Sequence, residues 1–340
     1  MHSLTHKIFT TILSLLAVAI SSCSSIDVPA DEPSSKAIIF IFSPGGLGDM
    51  SYNDRILEGI QRFKKQNDDV DIYIYSPKDI DEADWIFSDW LARPQSDVPA
   101  LFVLGSSDYE PMAGKYLAEQ TLTENKSILL FESRRQYADA KIHSFQISMY
   151  GASYLAGAVA KKCSGDKKSL IVLANDSDGP IGIAKDGFMA GNGGNCDVEY
   201  LADDWTGFVS ASLAYRKMDA WAANYGFIFP VAGGSNAGIY RYSREFDDSP
   251  FLAGMDVDQS NLSDKITGSV IKHIDKLVYE YLTEWTQTGT MPERRLYGLE
   301  SGYADWQLSP LYLYEFEDMV NSLRPEAIAM EKEYYEADGI

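Results

Sequence analysis

The feature that most constrains the fold of this chain is a regular alternation of apolar segments with amphipathic ones. Short runs that are apolar almost throughout recur at 37–42, 100–105 and 127–132, and each precedes a segment with apolar residues at helical spacing. Strands that are apolar on both faces are typical of parallel sheets, because helices cover both faces of such sheets. A second series of this kind begins at 170–174. The pattern therefore predicts an α/β protein with two doubly wound parallel-sheet lobes.

A glycine-rich loop follows the first predicted strand. It reads SPGGLGDMSYN over 43–53 and leads into an amphipathic helix. Open α/β sheets bind ligands at the carboxyl ends of their strands, so the loop is expected at a binding site. Glycines let the backbone approach a ligand closely, and Asp49, Tyr52 and Asn53 add an acceptor, an aromatic face and an amide. This combination favours recognition of a polar, planar molecule.

Two familiar glycine-rich loops match this segment less well. A phosphate-binding loop has Gly-Lys-Ser or Gly-Lys-Thr after its glycines, whereas this chain has Asp-Met-Ser at 49–51. A dinucleotide-binding loop has a third glycine where Ser51 stands, and Asp49 would place a negative charge beside the pyrophosphate. The segment therefore disfavours a nucleotide-phosphate site. A glycine-rich turn without a ligand is the remaining alternative.

The amino terminus has the pattern of an export signal. An apolar run over 8–20 suits the hydrophobic centre of a signal peptide and is short for a membrane span. Small residues before Cys23 resemble a bacterial lipobox, which implies a lipoprotein signal peptide over 1–22 and diacylglycerol on the Cys23 thiol. An ordinary signal peptide with an incidental cysteine is the alternative. Residues 23–35 are rich in serine, proline and acids and are predicted to be a flexible tether.

The chain carries a large negative charge. It has 50 acidic and 29 basic residues and a net charge of −21 at pH 7. Such a surface repels nucleic acids and anionic bilayers, so we expect neither as a partner of the folded part. Membrane attachment is therefore expected through the lipid at Cys23. This places the protein in the bacterial cell envelope, facing the periplasm or the exterior.

Cysteine and histidine are scarce. Apart from Cys23 the chain has only Cys163 and Cys196, each predicted where a helix has ended and a strand is about to begin. An exported location permits a disulfide between these two, and the sequence leaves open whether it forms. No metal-ligand spacing of Cys and His is present, so we expect no metal site. We also expect no cofactor.

Several segments, taken in order, resemble the landmarks of one family. YLAG at 154–157, GFMAG at 187–191 and AGGSNAG at 232–238 are followed by GMDVDQ at 254–259. The loop at 48–53 looks like the family motif Asp-x-Ser-Phe-Asn with tyrosine in place of phenylalanine. Together they resemble the basic membrane protein (BMP) family of substrate-binding lipoproteins, which includes purine-nucleoside receptors of ABC transporters. The resemblance covers nearly the whole mature chain, which makes it more specific than any single motif.

The resemblance implies a type I periplasmic-binding-protein fold with a nucleoside held between the lobes. Tyr52 would stack on one face of the base, and Trp205, favoured over Phe208, would cover the other. Asp49 and Asn53 would form hydrogen bonds with the base. The expected ligand-binding residues are Asp49, Tyr52, Asn53, Asp108, Trp205, Gly233, Gly234, Asp256 and Lys272.

The resemblance also assigns residues to the ribose. The backbone at Gly233 and Gly234, with Asp256 and Lys272, would bind its hydroxyls, since a carboxylate accepts two hydroxyls and a lysine balances the buried charge. A structural ion pair near the hinge is the alternative for Asp256, Asp258 and Lys272. Asp108 follows the third strand and belongs to the same rim, where a turn or helix cap is the alternative. The segment around it departs from the family pattern, which leaves base recognition open.

The expected division into domains follows from the implied fold. Residues 36–145 with 256–297 would form the first lobe, and 146–255 with 298–340 the second. Three crossovers near these boundaries would act as a hinge. A long amphipathic helix is predicted over 266–287.

These features predict a monomeric, lipid-anchored receptor that captures a nucleoside or a similar small polar solute and delivers it to an ABC permease. An enzyme is the competing class, since Asp49, Asp256 and Asp258 offer carboxylates for glycoside cleavage of a nucleoside. No nucleophile-and-base motif appears, so we expect no enzymatic activity. A sensor that signals to a membrane partner without transport is the remaining alternative.

Overall fold

Two six-stranded sheets form the framework of the described chain. The computed structural model describes residues 36–94, 96–118 and 121–337, all of which belong to one compact unit. The predicted signal peptide, Cys23 and the predicted tether lie outside these residues.

The sheet of the first lobe is parallel throughout. Its strands are β1 (Lys36–Ile41), β2 (Val70–Tyr75), β3 (Ala100–Leu104), β4 (Lys126–Phe131), β5 (Ile142–Ile147) and β11 (Leu296–Tyr297). They lie in the order β11-β5-β4-β3-β1-β2, and each neighbouring pair is parallel. The helices of this lobe are α1 (Tyr52–Lys64), α2 (Ile80–Ala92), α3 (Glu110–Leu117) and α8 (Ile274–Thr288).

The sheet of the second lobe is parallel except at one edge. Its strands are β6 (Lys168–Leu173), β7 (Cys196–Tyr200), β8 (Tyr225–Val231), β9 (Phe251–Asp256), β10 (Ile266–Lys272) and β12 (Ala304–Leu308). They lie in the order β12-β10-β9-β8-β6-β7, with β12 antiparallel to β10. The helices are α4 (Tyr150–Cys163), α5 (Gly179–Asn192), α6 (Ala211–Asn224), α7 (Asn236–Glu245) and α9 (Leu313–Ala337). The predicted two-lobed α/β fold is confirmed.

Alternation along the strands explains why helices cover both faces of each sheet. On β1, Ile38 and Phe40 pack into one hydrophobic cluster with residues of α1 and α8. Their neighbours Ile39 and Ile41 pack into a second cluster with residues of α2 and α3. Successive strand side chains point to opposite faces, so an apolar strand requires a helical layer on each side.

Close packing of α4 on α5 explains two of the motifs seen in the sequence. A Cβ at Gly191 would lie 1.9 Å from the carbonyl oxygen of Tyr154, and one at Gly187 would lie 2.2 Å from that of Tyr150. A Cβ at Gly157 would likewise meet the carbonyl oxygen of Phe188 at 2.2 Å. The YLAG and GFMAG segments therefore serve helix packing.

Within the described residues the chain passes between the lobes after β5, between β10 and α8, and after β11. Because β10 pairs with β9 and β12, residues 266–272 belong to the second sheet. The boundary expected at 255 is therefore wrong, and so is the helix expected to begin at Ile266. All seven residues of β10 are buried, so its sequence lacks the apolar–polar alternation that marks a half-exposed strand.

The two cysteines are free thiols in the structure. Cys163 ends α4, where burial and the nearby Glu315 carboxylate raise its pKa to about 12. Cys196 begins the edge strand β7, and its Sγ donates to the carbonyl of Asp197 at 3.1 Å. The disulfide permitted by the sequence is thus not formed. In the part of the chain that the structure describes, no helix combines the length and apolar character needed to cross a bilayer.

Candidate ligand-binding site

A cavity of about 240 Å³ lies between the two lobes. The first lobe contributes the glycine-rich loop after β1 and the segments that follow β3 and β4. The second contributes segments that follow β6, β7 and β8 and the last residues of β9 and β10. Parallel strands bring their carboxyl ends to one edge of a sheet, so both lobes present such edges to the crevice. The cavity lining includes eight of the nine expected ligand-binding residues: Asp49, Tyr52, Asn53, Asp108, Gly233, Gly234, Asp256 and Lys272.

The ninth expected residue, Trp205, does not line this cavity. It contributes instead to a neighbouring cavity of about 650 Å³, and Phe208 lines the interlobe cavity in its place. A short helical turn over 205–209 places the two aromatic side chains in different cavities, and Ser235 binds to this turn. The Ser235 hydroxyl donates to the carbonyl of Gly207 at 2.7 Å, which holds Phe208 beside Gly233. The two cavities share five lining residues, namely Ser107, Asp108, Glu132, Asp178 and Pro180. A ligand contact of Trp205 stays a prediction.

Two aspartates hold the glycine-rich loop in shape. The Asp54 carboxylate accepts the N–H of Gly48 at 2.8 Å and the N–H of Met50 at 2.9 Å. Gly48 has a φ of 88°, a left-handed conformation that favours glycine. The Asp49 carboxylate accepts the N–H groups of Ser51 and Asn53 at 2.9 Å each. The first turn of α1 is thereby capped by the loop that precedes it.

These bonds limit what Asp49 and Asn53 offer to a ligand. The Asn53 Nδ2 donates to Asp49 Oδ2 at 3.0 Å and to the Ser43 hydroxyl at 2.8 Å. Burial raises the pKa of Asp49 above its ordinary value, although its backbone donors oppose this effect. Both residues line the cavity, and their polar atoms also fix the loop that carries Tyr52.

A buried ion pair joins the lobes at the cavity wall. Lys272, at the end of β10, has its Nζ 2.9 Å from Glu132 Oε1, and both side chains are less than 5 % exposed. The Lys272 Nζ also lies 5.0 Å from the centre of the Tyr52 ring, and the Tyr52 hydroxyl donates to Glu132 at 3.5 Å. Burial raises the pKa of Glu132, and Lys272 opposes the rise. Burial also raises the pKa of Tyr52, so this phenol stays protonated and can donate.

Glu132 was missed as a site residue. It follows β4 in the left-handed conformation, with a φ of 57°, which is uncommon for a residue with a side chain. Like Asp108 after β3, it follows an apolar strand, and this signal in the sequence would have found it. The ion pair that the sequence left open for Lys272 forms with Glu132.

Asp256 faces the same cavity from the end of β9. It also has a left-handed backbone, with a φ of 66°. Its Oδ2 accepts the Ser51 hydroxyl at 2.5 Å, and this bond crosses between the lobes. Burial raises the pKa of Asp256, and the Lys272 cation counteracts this effect. Ser51 therefore bonds across the cleft and does not cap α1 with its side chain.

Two further carboxyl groups approach each other across the cleft. Asp108 accepts the Ser106 hydroxyl at 2.7 Å, and Asp178 of the second lobe accepts the Ser107 hydroxyl at 2.7 Å. Burial and the charge of Asp178 raise the pKa of Asp108 to about 6. Asp178 also caps α5 by accepting the N–H of Ile181 at 3.1 Å. It was not predicted, although its place between an apolar strand and Gly-Pro marks a helix start at the sheet edge.

The charges around the cavity are unbalanced. Among its lining residues, one cationic side chain, Lys272, stands against five carboxyl groups, namely Asp49, Asp108, Glu132, Asp178 and Asp256. Carboxylates accept hydrogen bonds strongly. The cavity is therefore suited to a solute with several hydroxyl or amino groups and unsuited to an anion.

The lobes are in contact on both sides of the cavity. Besides the bonds already given, Gln259 Nε2 donates to the Met50 carbonyl at 3.1 Å. A Cβ at Gly45 would lie 3.5 Å from Val209 of the other lobe, so the glycine-rich loop packs directly on the opposite wall. The structure is that of a closed cleft.

Two sheet lobes closed over a cavity that carries several carboxyl groups, with repeated passages of the chain between them, define a bilobed solute-binding protein of the type I periplasmic class. The chain belongs to the Bmp family, described as ABC transporter substrate-binding protein PnrA-like, whose family model matches residues 36–335. This confirms the resemblance identified in the sequence.

Individual relatives agree with this assignment. Basic membrane protein C of Borreliella burgdorferi is 23% identical over 297 residues, covering 82% of this chain and 80% of that protein. An ABC transporter system solute-binding protein from Aeropyrum pernix K1 has a TM-score of 0.66 at 18% identity, over 85% of this chain and 81% of that one. GanP, a glucose-galactose binding protein from Geobacillus stearothermophilus, has a TM-score of 0.59 at 14% identity, over 82% and 98% of the two chains. The two structural similarities establish the fold.

Proposed function

We propose that this protein is the lipid-anchored receptor of an ABC transporter and that it captures a nucleoside, most simply a purine nucleoside, in the interlobe cavity. The observation that carries the proposal is the composition of that cavity. It combines two aromatic side chains, Tyr52 and Phe208, with five carboxyl groups from both lobes. A nucleoside offers a planar base for stacking and ribose hydroxyls for donation, and it carries no phosphate.

Closure of the lobes would provide the signal to the permease. A ligand that contacts residues of both lobes favours the closed form by its differential affinity for that form. Asp256 and Lys272 from the second lobe and Tyr52 from the first lobe would supply contacts of this kind. The permease would then bind the closed receptor, and anchoring at Cys23 would keep the two together at the membrane.

A thermal-shift screen of residues 24–340 tests the ligand. Adenosine, guanosine, inosine and uridine would be compared with adenine, ribose, glucose and adenosine 5′-monophosphate. A ligand that binds only the folded protein adds about 2.7 kcal/mol of stability at a hundredfold excess over its Kd. We expect a rise in melting temperature with one or more nucleosides and none with the monophosphate, because the carboxyl groups disfavour an anion. Binding of a sugar without binding of any nucleoside would contradict the proposed ligand.

Substitution of the aromatic residues tests the site. Stacking on a base contributes about 1–3 kcal/mol, so Tyr52→Ala and Phe208→Ala should each weaken nucleoside binding about tenfold or more in calorimetric titrations. Trp85→Ala is the matched control, since Trp85 is 65 % exposed and lines neither cavity, and the nucleoside affinity of this variant should stay at the wild-type value. Loss of binding in W205A with retention in F208A would reverse the assignment.

Two further assays separate this proposal from its alternatives. Chromatography of nucleosides after incubation with the protein would detect free base, and catalytic turnover would contradict a receptor without enzymatic activity. Detergent phase partitioning of the full chain would test the anchor, with wild type expected in the detergent phase and Cys23→Ser in the aqueous phase.

A further inference from the structure

A carboxylate buried behind the hinge is not explained by ligand binding. Glu331 lies near the end of α9 and is 7 % exposed. Its Oε1 accepts the N–H of Gly151 at 3.1 Å, and its Oε2 accepts the N–H of Leu299 at 2.9 Å. Burial raises the pKa of this carboxyl group, and the Ser148 side chain together with these two backbone donors opposes the rise. A buried charged side chain is kept only where its partners offset the cost of burial.

The two donors lie just beyond two different passages between the lobes. Gly151 is in the first turn of α4, shortly after β5 ends at Ile147. Leu299 follows β11, which ends at Tyr297. The first-turn N–H groups of a helix have no partner within the helix, so Gly151 requires an acceptor from elsewhere. One carboxylate on α9 thus holds both chain segments where they enter the second lobe.

The space around the carboxylate is restricted at one point and open at another. A Cβ on Gly298 would lie 2.5 Å from Glu331 Oε2, so a side chain there would displace the carboxylate. A cavity of about 200 Å³ lined by Gly298, Glu331 and Ser148 offers space for the displaced group. Gly298 therefore permits the two hydrogen bonds of Glu331.

We propose that Glu331 is a positioning residue of the hinge, which fastens the first and third passages to α9 so that the lobes close along one fixed path. The inference extends the proposed function, because closure is what captures the solute. Glu331 does not line the interlobe cavity, so any effect of its substitution on binding would act through the hinge.

Hydrogen–deuterium exchange of the ligand-free protein tests the proposal without any assumption about the ligand. In Glu331→Ala we expect at least tenfold faster exchange at 148–151 and 298–301. We also expect faster exchange in the loop at 44–53, which packs on the opposite lobe in this closed structure. Faster exchange at the two passages without a change in this loop would overturn the proposal and leave Glu331 a local structural residue.

Three variants make the test specific. Glu326→Gln is the control on the same helix, since Glu326 bonds the exposed Tyr154 hydroxyl at 2.8 Å, and its exchange should match wild type. Gly298→Ala should reproduce the E331A pattern, because it displaces the carboxylate without removing it. Gly226→Ala would place a Cβ 2.5 Å from the carbonyl oxygen of Ser164, at the end of α4 opposite to Gly151, and controls for a general loss of stability. An equal response of the 44–53 loop in G226A would also overturn the proposal.

Inosine is the probe for the link to binding. If wild type binds it, E331A and G298A should raise its Kd about tenfold, whereas E326Q should not. An unchanged Kd in both variants would overturn the role in closure. If wild type binds no nucleoside, the proposed ligand fails, and the exchange experiment still decides the role of Glu331.

Discussion

Replacing Asp108 with asparagine should stabilise the ligand-free protein at neutral pH, although Asp108 lines the proposed binding site. The Asp108 carboxyl accepts a hydrogen bond from Ser106 and lies close enough to Asp178 for the two charges to repel. Burial and this repulsion raise its pKa from an ordinary value of 3.8 to about 6. Asparagine retains an acceptor for Ser106 and removes the negative charge.

The magnitude follows from the pKa. At ~1.4 kcal/mol per pH unit, a rise from 3.8 to about 6 corresponds to a free energy of unfolding lower by about 3 kcal/mol at neutral pH. Partial exposure of Asp108 to solvent reduces this to about 2 kcal/mol. Between pH 3.8 and about pH 6, the two pKa values of this carboxyl group, the folded state binds more protons than the unfolded state. The stability of the wild type therefore decreases as the pH rises through this range. D108N has no carboxyl group here and does not lose this stability as the pH rises. The difference in free energy of unfolding between D108N and wild type should therefore vanish near pH 4.

Thermal unfolding followed by circular dichroism between pH 4 and pH 8 measures the effect. An advantage of about 2 kcal/mol corresponds to a melting temperature higher by roughly 4 °C in a chain of this size. Asp176→Asn, an exposed position on the loop after β6, is the matched control and should follow the wild-type curve. A D108N curve parallel to wild type at every pH, or a D108N protein less stable than wild type at pH 7.5, would refute the reasoning.

Two further substitutions address stability. Lys272→Met leaves Glu132 buried without its cation and should lower the free energy of unfolding in urea by about 3–5 kcal/mol; a loss under 1 kcal/mol would contradict a buried ion pair. Gly191→Ala forces a Cβ against the carbonyl of Tyr154 and should cost about 3 kcal/mol. Gly182→Ala on the same helix meets nothing within 4 Å and should gain about 0.5–1 kcal/mol. Equal effects of the two alanines would show that α4 and α5 are not tightly packed.

The fold was largely predictable because its signal is local and repeated. Each apolar strand and the helix after it occupy consecutive residues, so periodicity identifies them. The prediction of a helix from Ile266, where the structure has the strand β10, failed because the signal for this strand is not local. The strand is buried along its whole length, and only His273 separates it from α8, so no turn residue divides the two elements. Pairing with β9 and β12 decided its place, and such pairing is a long-range contact.

The residues that line the cavity were predicted where one loop supplies them and missed where the two lobes meet. The loop at 43–53 carries Asp49, Tyr52 and Asn53 within a few residues, and all three line the cavity. Glu132 and Asp178 gain their importance from partners far away in the chain. Sequence spacing cannot show that Glu132 lies beside Lys272 or that Asp178 lies beside Ser107, because each pair joins different lobes.

The sequence by itself determined the order of most elements, the strand ends that meet at the cavity and the family, since these depend on periodicity and on short motifs. Only the tertiary structure decided which aromatic residue lines the cavity, how Lys272 is neutralised and that Glu331 holds two passages of the hinge. A side chain's neighbours and its charge state depend on distances between segments remote in sequence. Those distances exist only after the two lobes have folded and closed.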